Sequence, residues 1–227
     1  MQKNLIVLIG GGHAAGKRTT AELIKTEVEN LPENNGSSLH IEVLDMTTFE
    51  QSVTKNGSTS DEMSKHKFRP ARVDFEALLD HLKSLLLHKE GEIQKLLIVH
   101  GCYALYNKEI CDMSHMRVYI DSDADTRLIR WIRRDVLFTE TETLEHILST
   151  YLQGAKQEMT DYIFPTKERA DVIMPRGAEA NGVSLIVDGI LPHTGFGKLL
   201  EHSGTSCLRP FQGERFDNQK GNFYELN

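Results

Sequence analysis

The chain has 227 residues, of which 39% are hydrophobic and 26% are charged, and its net charge is −7. This size and balance predict one compact α/β domain with at most one small subdomain. The negative charge excludes a sequence-wide basic field, so we expect no DNA partner. The three cysteines are too few and too scattered for a disulfide framework or a zinc site, and they predict reduced thiols in a cytoplasmic or nuclear protein: Cys102, Cys111 and Cys207.

Two stretches indicate how the chain is organised. The apolar run LIVLIGGG is far too short to span a membrane and meets glycines rather than a cleavage site, so we expect no membrane partner. The stretch SGTSCLRPFQGERFDNQKGNFYELN is irregular. We therefore predict one domain over residues 1–192 and a C-terminal tail over 193–227 that packs on the domain or trails from it.

The first part of the chain predicts two strands and two helices. The continuous apolar run NLIVLIG at 4–10 ends in glycines and is typical of a strand buried on both faces of a parallel sheet. A second strand is predicted at 40–46. Asp74 is placed to cap the helix VDFEALLDHLKSLLL, with Val73 and Leu78 as a hydrophobic staple. Apolar residues at helical spacing follow the glycines: Ala21, Ile24, Val28 and Leu31.

The second part continues the alternation of strands and helices. Buried strands are predicted at 95–101 and 116–121, and the basic stretch DADTRLIRWIRRD predicts a helix. A capping box at 139–142 precedes the helical pattern LEHILSTYLQGAKQEM. A last strand at 170–177 is followed by the helix VSLIVDGIL. Such short intervals between strands and helices predict an α/β fold with a parallel, doubly wound sheet.

The stretch GGGHAAGKRT at 10–19 fits the phosphate-binding pattern G-x-x-x-x-G-K-[ST] except at its last position. It follows a predicted buried strand and opens a predicted helix. There, backbone N–H groups, the helix N-terminus and the lysine all direct positive charge at phosphates. The alternative is a glycine-rich turn with an incidental lysine. The candidate nucleotide-binding residues are Gly11, Gly12, His13, Ala14, Ala15, Gly16, Lys17, Arg18 and Thr19.

Several motifs together resemble the uridine kinase (uridine–cytidine kinase) family. GGHAAGKRTT is similar to that family's G-G-S-x-S-G-K-T-T, and LLIVHGCYALYNKEI to its strand V-x-x-F-E-G-I-L-A-F-Y. IDSDADTRLIR and FPTKERADVIMPRG follow in the family's order, so the resemblance runs from about residue 4 to about residue 190. It implies a P-loop NTPase-type parallel sheet flanked by helices, with the lid of a nucleoside kinase.

The resemblance also implies an activity. Its members transfer phosphate from ATP to a pyrimidine nucleoside, so the implied cofactor is ATP or another nucleoside triphosphate, and the implied acceptor is uridine or cytidine. A homo-oligomer is also compatible with the family. In this sequence Lys17 would grip the β- and γ-phosphates, and Arg134 would assist from the lid side.

Three positions depart from the family's magnesium and base chemistry. Arg18 stands where a hydroxyl should hold magnesium, and a guanidinium cannot ligate a metal. Thr47 replaces an aspartate near the nucleoside hydroxyl. Asp45 lies two residues earlier, on the same face of a strand but displaced by roughly 6–7 Å, and is the candidate base. His100 replaces a glutamate, and neutral imidazole ligates magnesium poorly. Magnesium could accompany the nucleotide, but we assign it no protein ligand.

The acceptor site departs from the family as well. Ala71 replaces a sugar-binding carboxylate within the stretch KFRPARVD at 67–74. The chain then passes almost directly from a helix to the strand at Leu96, whereas the family inserts a β-hairpin that contacts the pyrimidine. We therefore expect a nucleoside pocket that is more open than the family's.

The lid is altered in charge. The family's arginine-rich motif is replaced by the acidic stretch LFTETET at 137–143. Arg134 survives, with Arg130 and Arg133 on the same predicted helix. These arginines could form a solvated helix face, but beside a P-loop we expect phosphate contact.

Two hypotheses therefore stay open. The first is a uridine kinase-like enzyme in which Lys17, Arg134 and Asp45 are the catalytic residues. The second is a catalytically degenerate nucleotide-binding protein, regulatory or interacting with partners, on the same scaffold. The P-loop lysine favours the first, and the altered metal, base and acceptor positions favour the second.

Overall fold

The computed structural model describes residues 4–31, 39–51, 68–87 and 93–194. Within these residues lies one sheet of five parallel strands in the order β2-β3-β1-β4-β5. The predicted parallel α/β sheet is therefore confirmed. The strands are β1 Leu5–Gly11, β2 Leu39–Asp45, β3 Gln94–His100, β4 Met116–Ile120 and β5 Val172–Met174.

Helices cover both faces of this sheet. They are α1 Lys17–Glu29, α2 Phe75–Leu86, α3 Lys108–Met113, α4 Ala124–Ile132, α5 Leu144–Thr150, α6 Lys156–Glu158 and α7 Ala180–Ile190. Turns of 3₁₀-helix lie at Met46–Phe49, Pro70–Arg72, Phe164–Arg169 and Leu191–His193. Turns of π-helix lie at Arg133–Phe138, Tyr151–Ala155 and Met159–Ile163.

The central strand β1 has a core on each side, which explains its continuous apolar sequence. Every residue of β1 is buried. Leu5, Val7 and Ile9 pack in the core that α1 and α7 cover, whereas Ile6 and Leu8 pack in the core that α2 and α3 cover. A strand buried on both faces cannot alternate polar and apolar residues.

The predicted cap of α2 is confirmed, and the predicted capping box before α5 is wrong. Asp74 accepts a hydrogen bond from the backbone N–H of Ala77 at 2.9 Å. At the other site the cap is Thr143, which accepts from the N–H of His146. The preceding helical segment continues through a π-helical turn to Phe138, so Thr139 lies at its end instead of starting a new helix.

The pattern LEHILSTYLQGAKQEM predicts one regular helix, and the structure interrupts it. The segment Leu144–Arg169 is helical throughout. One π-helical turn separates α5 from α6, a second follows α6, and a 3₁₀ turn ends the segment. Each π-helical turn inserts a residue into the α-helical repeat and rotates the side chains that follow it. This segment, named here the 144–169 segment, contributes directly to the candidate site.

Some predictions lie outside the described residues. The missing hairpin concerns residues 88–92, and the tail from 195 onwards is likewise not described, so the division at 192 stays a prediction. Among the described residues no helix is both long enough and apolar enough to cross a bilayer.

The carboxyl ends of the strands position the candidate site. In the sheet register Asp45 at the end of β2 pairs with His100 at the end of β3, and His100 is in register with Ile9 of β1. The glycine loop leaves β1 at this same edge. Open parallel sheets bind ligands at the carboxyl ends of their strands, at the point where the strand order reverses.

Candidate functional site

The loop between β1 and α1 has the backbone of an anion-binding turn. Gly16 has φ 105° and directly precedes α1, a conformation that glycine adopts without strain. A Cβ atom at Gly12 would lie 2.4 Å from Nη1 of Arg127, so the buried guanidinium would have to shift to admit a larger residue there. The first backbone N–H groups of α1 have no partner within the helix and are available to an anion.

Lys17 reaches back across this loop. Its Nζ donates to the carbonyl oxygen of Gly12 at 2.6 Å, and the N–H of Ala15 donates to the same oxygen at 3.2 Å. The ammonium is thereby held over the concave side of the loop. Lysine at this place can bind a phosphate as a point charge.

A cavity of about 690 Å³ lies against the loop. Seven basic side chains line it, and Asp45 is the one carboxylate among the described residues of its wall. Clustered charges of one sign in a cleft raise the local concentration of oppositely charged ligands. The cavity therefore suits a polyanion. Its basic side chains are His13, Lys17, Arg18, His100, Arg130, Arg134 and Arg176.

The three arginines predicted to contact phosphate differ in their contacts. Arg130 is fixed, because its guanidinium donates to the carbonyl oxygens of Ala15 and Arg176 at 3.3 and 3.2 Å. Arg134 lines the cavity but is paired with Asp135 at 2.5 Å. Arg133 lies over the ring of Phe138, and it is not part of the cavity wall.

The candidate base and its neighbours meet at one wall of the cavity, which Asp45, Thr47 and His100 line together. The expectation that Asp45 and Thr47 share one strand face is wrong: β2 ends at Asp45 and a 3₁₀ turn follows. Asp45 accepts from the N–H of Thr47 at 2.9 Å. Burial lowers the pKa of His100, which favours its neutral form.

Comparison with known proteins identifies the family. Residues 88–182 match the Phosphoribulokinase / Uridine kinase family. A Saccharomyces cerevisiae protein named "Putative uridine kinase DAS2" is 30% identical over 241 aligned residues, which cover 100% of this chain and 97% of that protein. The chain belongs to the phosphoribulokinase/uridine kinase family. The resemblance found in the motifs is thereby confirmed.

One further relative agrees with this family assignment, and one solved structure agrees with the fold. A protein named "Uridine kinase" from Halobacterium salinarum is 28% identical over 209 residues, 82% of this chain and 86% of that protein. A solved structure from Silicibacter sp. TM1040, described as a "putative fructose transport system kinase", has a TM-score of 0.50 and 15% identity. It covers 77% of this chain and 91% of that chain. At this identity it shows the P-loop kinase fold alone.

Relative to the uridine kinase family motif, His13 replaces a serine, and the structure gives it buried partners. Its Nε2 lies 2.7 Å from Oε2 of Glu158, and its ring stacks on Trp131 at 5.1 Å. Glu158 is 1% exposed and also accepts from the hydroxyl of Tyr103 at 2.6 Å. Arg72 lies 3.3 Å from the same carboxylate. This set, the Glu158 network, joins the P-loop to the 144–169 segment.

Cys102 completes the wall beside His13. Its Sγ lies 3.9 Å from Nδ1 of His13. Burial alone would lower the pKa of His13, but Cys102 and Glu158 outweigh it and raise that pKa to about 9. Burial alone would raise the pKa of Cys102, but His13 and Lys17 outweigh it and lower that pKa to about 6. Each of the two side chains therefore favours the charged form of the other.

Only some of the residues predicted to bind the nucleotide line the cavity. His13, Ala14 and Gly16 line it together with the run from Lys17 to Thr19. Gly11, Gly12 and Ala15 support the loop from behind and are absent from the described wall. Ala71 lies exposed in its 3₁₀ turn, also outside that wall.

Proposed function

We propose that the chain binds a nucleoside triphosphate in this cavity, with its phosphate charge neutralised by protein cations. ATP is the first candidate. The observation that carries the proposal is the P-loop backbone with Lys17 held at 2.6 Å over Gly12. The basic wall that includes Arg18 and Arg130 supports it, because charge-assisted contacts to phosphate are the strong ones.

We infer that this wall offers magnesium fewer protein ligands than the family's motif does. Mg²⁺ prefers carboxylate, carbonyl and hydroxyl oxygens in octahedral geometry. Arg18 offers a cation where the family has a hydroxyl, and His100 offers a nitrogen where the family has a carboxylate. Asp45 is the one carboxylate among the described residues of the wall, and a magnesium ion that accompanies a nucleotide takes one or two carboxylates together with the phosphates.

The binding proposal is tested by titration calorimetry of ATP with matched variants. Lys17→Ala should weaken binding by about 1–3 kcal/mol, the range for a charge-assisted contact. Lys25→Ala is the control, because Lys25 lies on the same helix α1 but pairs with Glu29 at 4.0 Å, away from the cavity. Equal losses from both variants, or no ATP binding by the unaltered chain, would overturn the proposal.

Phosphoryl transfer to a pyrimidine nucleoside is the second candidate function. It is supported by family membership and by Asp45, the carboxylate on the same cavity wall as Lys17. In this reading Asp45 orients the acceptor hydroxyl, while Lys17 and Arg134 stabilise the transferred group. Losing a positioned base costs about 10²–10⁴-fold in rate, so a displaced Asp45 predicts slow turnover.

A turnover assay separates the two candidates. The purified chain is given ATP and a panel of nucleosides, with an unaltered uridine kinase alongside. If transfer occurs through this site, Asp45→Asn should abolish it, whereas Asp80→Asn on the exposed side of α2 should not. Turnover that is independent of Asp45 would rule out its role as base.

A further inference from the structure

Cys102 is a nucleophile at the wall of the nucleotide cavity that neither candidate function uses. It lies two residues after the end of β3, shares the cavity wall with Lys17 and is half-buried. Its neighbour His13 is held in place from two sides, by the carboxylate of Glu158 and by the ring of Trp131. The thiol is therefore part of a fixed Cys–His–Glu arrangement that opens on a basic cavity.

We propose that Cys102 is a covalent modification site that takes small anionic disulfides and thereby closes the nucleotide cavity. The proposal rests on the proposed function, since the basic wall is taken to attract both kinds of anion. The Cys102 thiolate attacks one sulfur of the disulfide, whose S–S bond breaks as the new S–S bond forms. The departing thiolate takes a proton from water, so no further oxidant is needed.

Three charged groups act on this thiol. His13 and Lys17 favour the thiolate, whereas Glu158 opposes it and burial opposes it most. The net effect is a thiolate at a pH where an ordinary cysteine is protonated. The same basic wall attracts the carboxylates of an anionic disulfide.

Cys111 provides a contrast within the same chain. It lies in α3, is 3% exposed and packs in the core beneath α2 and α3. Burial raises the pKa of its thiol. A structural cysteine in such surroundings is inert. Selective reaction at Cys102 would therefore arise from the groups that surround its thiol.

The experiment treats the full reduced chain with glutathione disulfide and quantifies the peptide of each cysteine separately by mass spectrometry. The reference is the same chain unfolded in urea. At pH 6, near the thiol pKa, Cys102 should react about tenfold faster in the folded chain, after allowing for the lower nucleophilicity of a low-pKa thiolate. Cys111 should react more slowly folded than unfolded. His13→Asn should remove the acceleration at Cys102.

A second arm separates this site from the proposed function. The ratio of the rate with anionic iodoacetate to the rate with neutral iodoacetamide at Cys102 should be higher in the folded chain than in the unfolded chain. ATP should slow both reagents. Fast reaction without ATP protection would leave the reactive thiol standing and contradict nucleotide binding in this cavity. Equal rates for folded and unfolded Cys102, or no preference for the anionic reagent, would overturn the modification site.

Discussion

Single residues determine which ligands this cavity can hold. Arg18 places a permanent cation where the uridine kinase family has a hydroxyl, and Lys17 beside it keeps the usual contact across the loop. The exchange removes an oxygen that could bind magnesium and adds a charge that can neutralise phosphate.

Restoring a hydroxyl by Arg18→Thr should not produce an efficient uridine kinase. Thr47 and Ala71 would still stand where the family has carboxylates. We expect uridine turnover to stay within about tenfold of the unaltered chain, since the missing base alone costs about 10²–10⁴-fold. A coupled ADP-release assay measures it. Turnover approaching that of an unaltered family member would show that Arg18 alone limits catalysis.

The pairing of His13 with Cys102 predicts a pH-dependent signal. The pKa of Cys102 is lowered to about 6 from its ordinary value of 9.0, so its thiolate forms as the pH rises through about 6. In a background of Cys111→Ser and Cys207→Ser, ultraviolet thiolate absorbance should show this midpoint. His13→Gln should move the midpoint upward, because the imidazolium that favours the thiolate is removed. An unchanged midpoint would contradict the pairing.

Elements show where sequence patterns succeed and where they fail. The buried strand β1 and the Asp74 cap of α2 follow from local patterns, and both predictions are confirmed. The stretch LEHILSTYLQGAKQEM at 144–159 predicts a regular helix because apolar spacing does not register π-helical turns. Glu158 was missed for a related reason: its partners Tyr103 and His13 lie 55 and 145 residues away in sequence. The histidine in a serine position was the one available signal.

The Glu158 network should stabilise the fold. Burial opposes ionisation of Glu158, but His13, Arg72 and Tyr103 outweigh it and lower its pKa below the ordinary 4.5. Its contribution is therefore present above that pH and is lost as the pH falls through the folded-state pKa. Glu158→Gln should lower the free energy of unfolding by roughly 2–4 kcal/mol at neutral pH, since it removes the carboxylate that faces the buried cations His13 and Arg72.

Urea unfolding at neutral and acidic pH measures this effect. Glu145→Gln is the matched control, because Glu145 lies exposed on α5 of the same segment. We expect the control to change the free energy of unfolding by less than about 0.5 kcal/mol. A difference between Glu158→Gln and the unaltered chain that persists at low pH would show that packing, and not charge, accounts for the loss.

At the scale of the whole molecule, the fold and the general place of the site were predictable, and the composition of its wall was not. The P-loop motif and the strand order place a ligand at the carboxyl edge of the sheet. Arg130 and Arg176 reach that edge from α4 and from the turn after β5, segments far from the loop in sequence. Their convergence depends on tertiary packing, which local patterns do not encode.

We propose that protein cations take the place of magnesium in neutralising the bound nucleotide. Titration calorimetry of ATP in magnesium and again in excess EDTA tests it most directly, with an unaltered uridine kinase measured alongside. We predict that the affinity of this chain changes by less than about tenfold, or 1.4 kcal/mol, between the two conditions. A loss of about a hundredfold or more in EDTA, together with rapid uridine turnover in magnesium, would contradict the claim and show a rebuilt metal site.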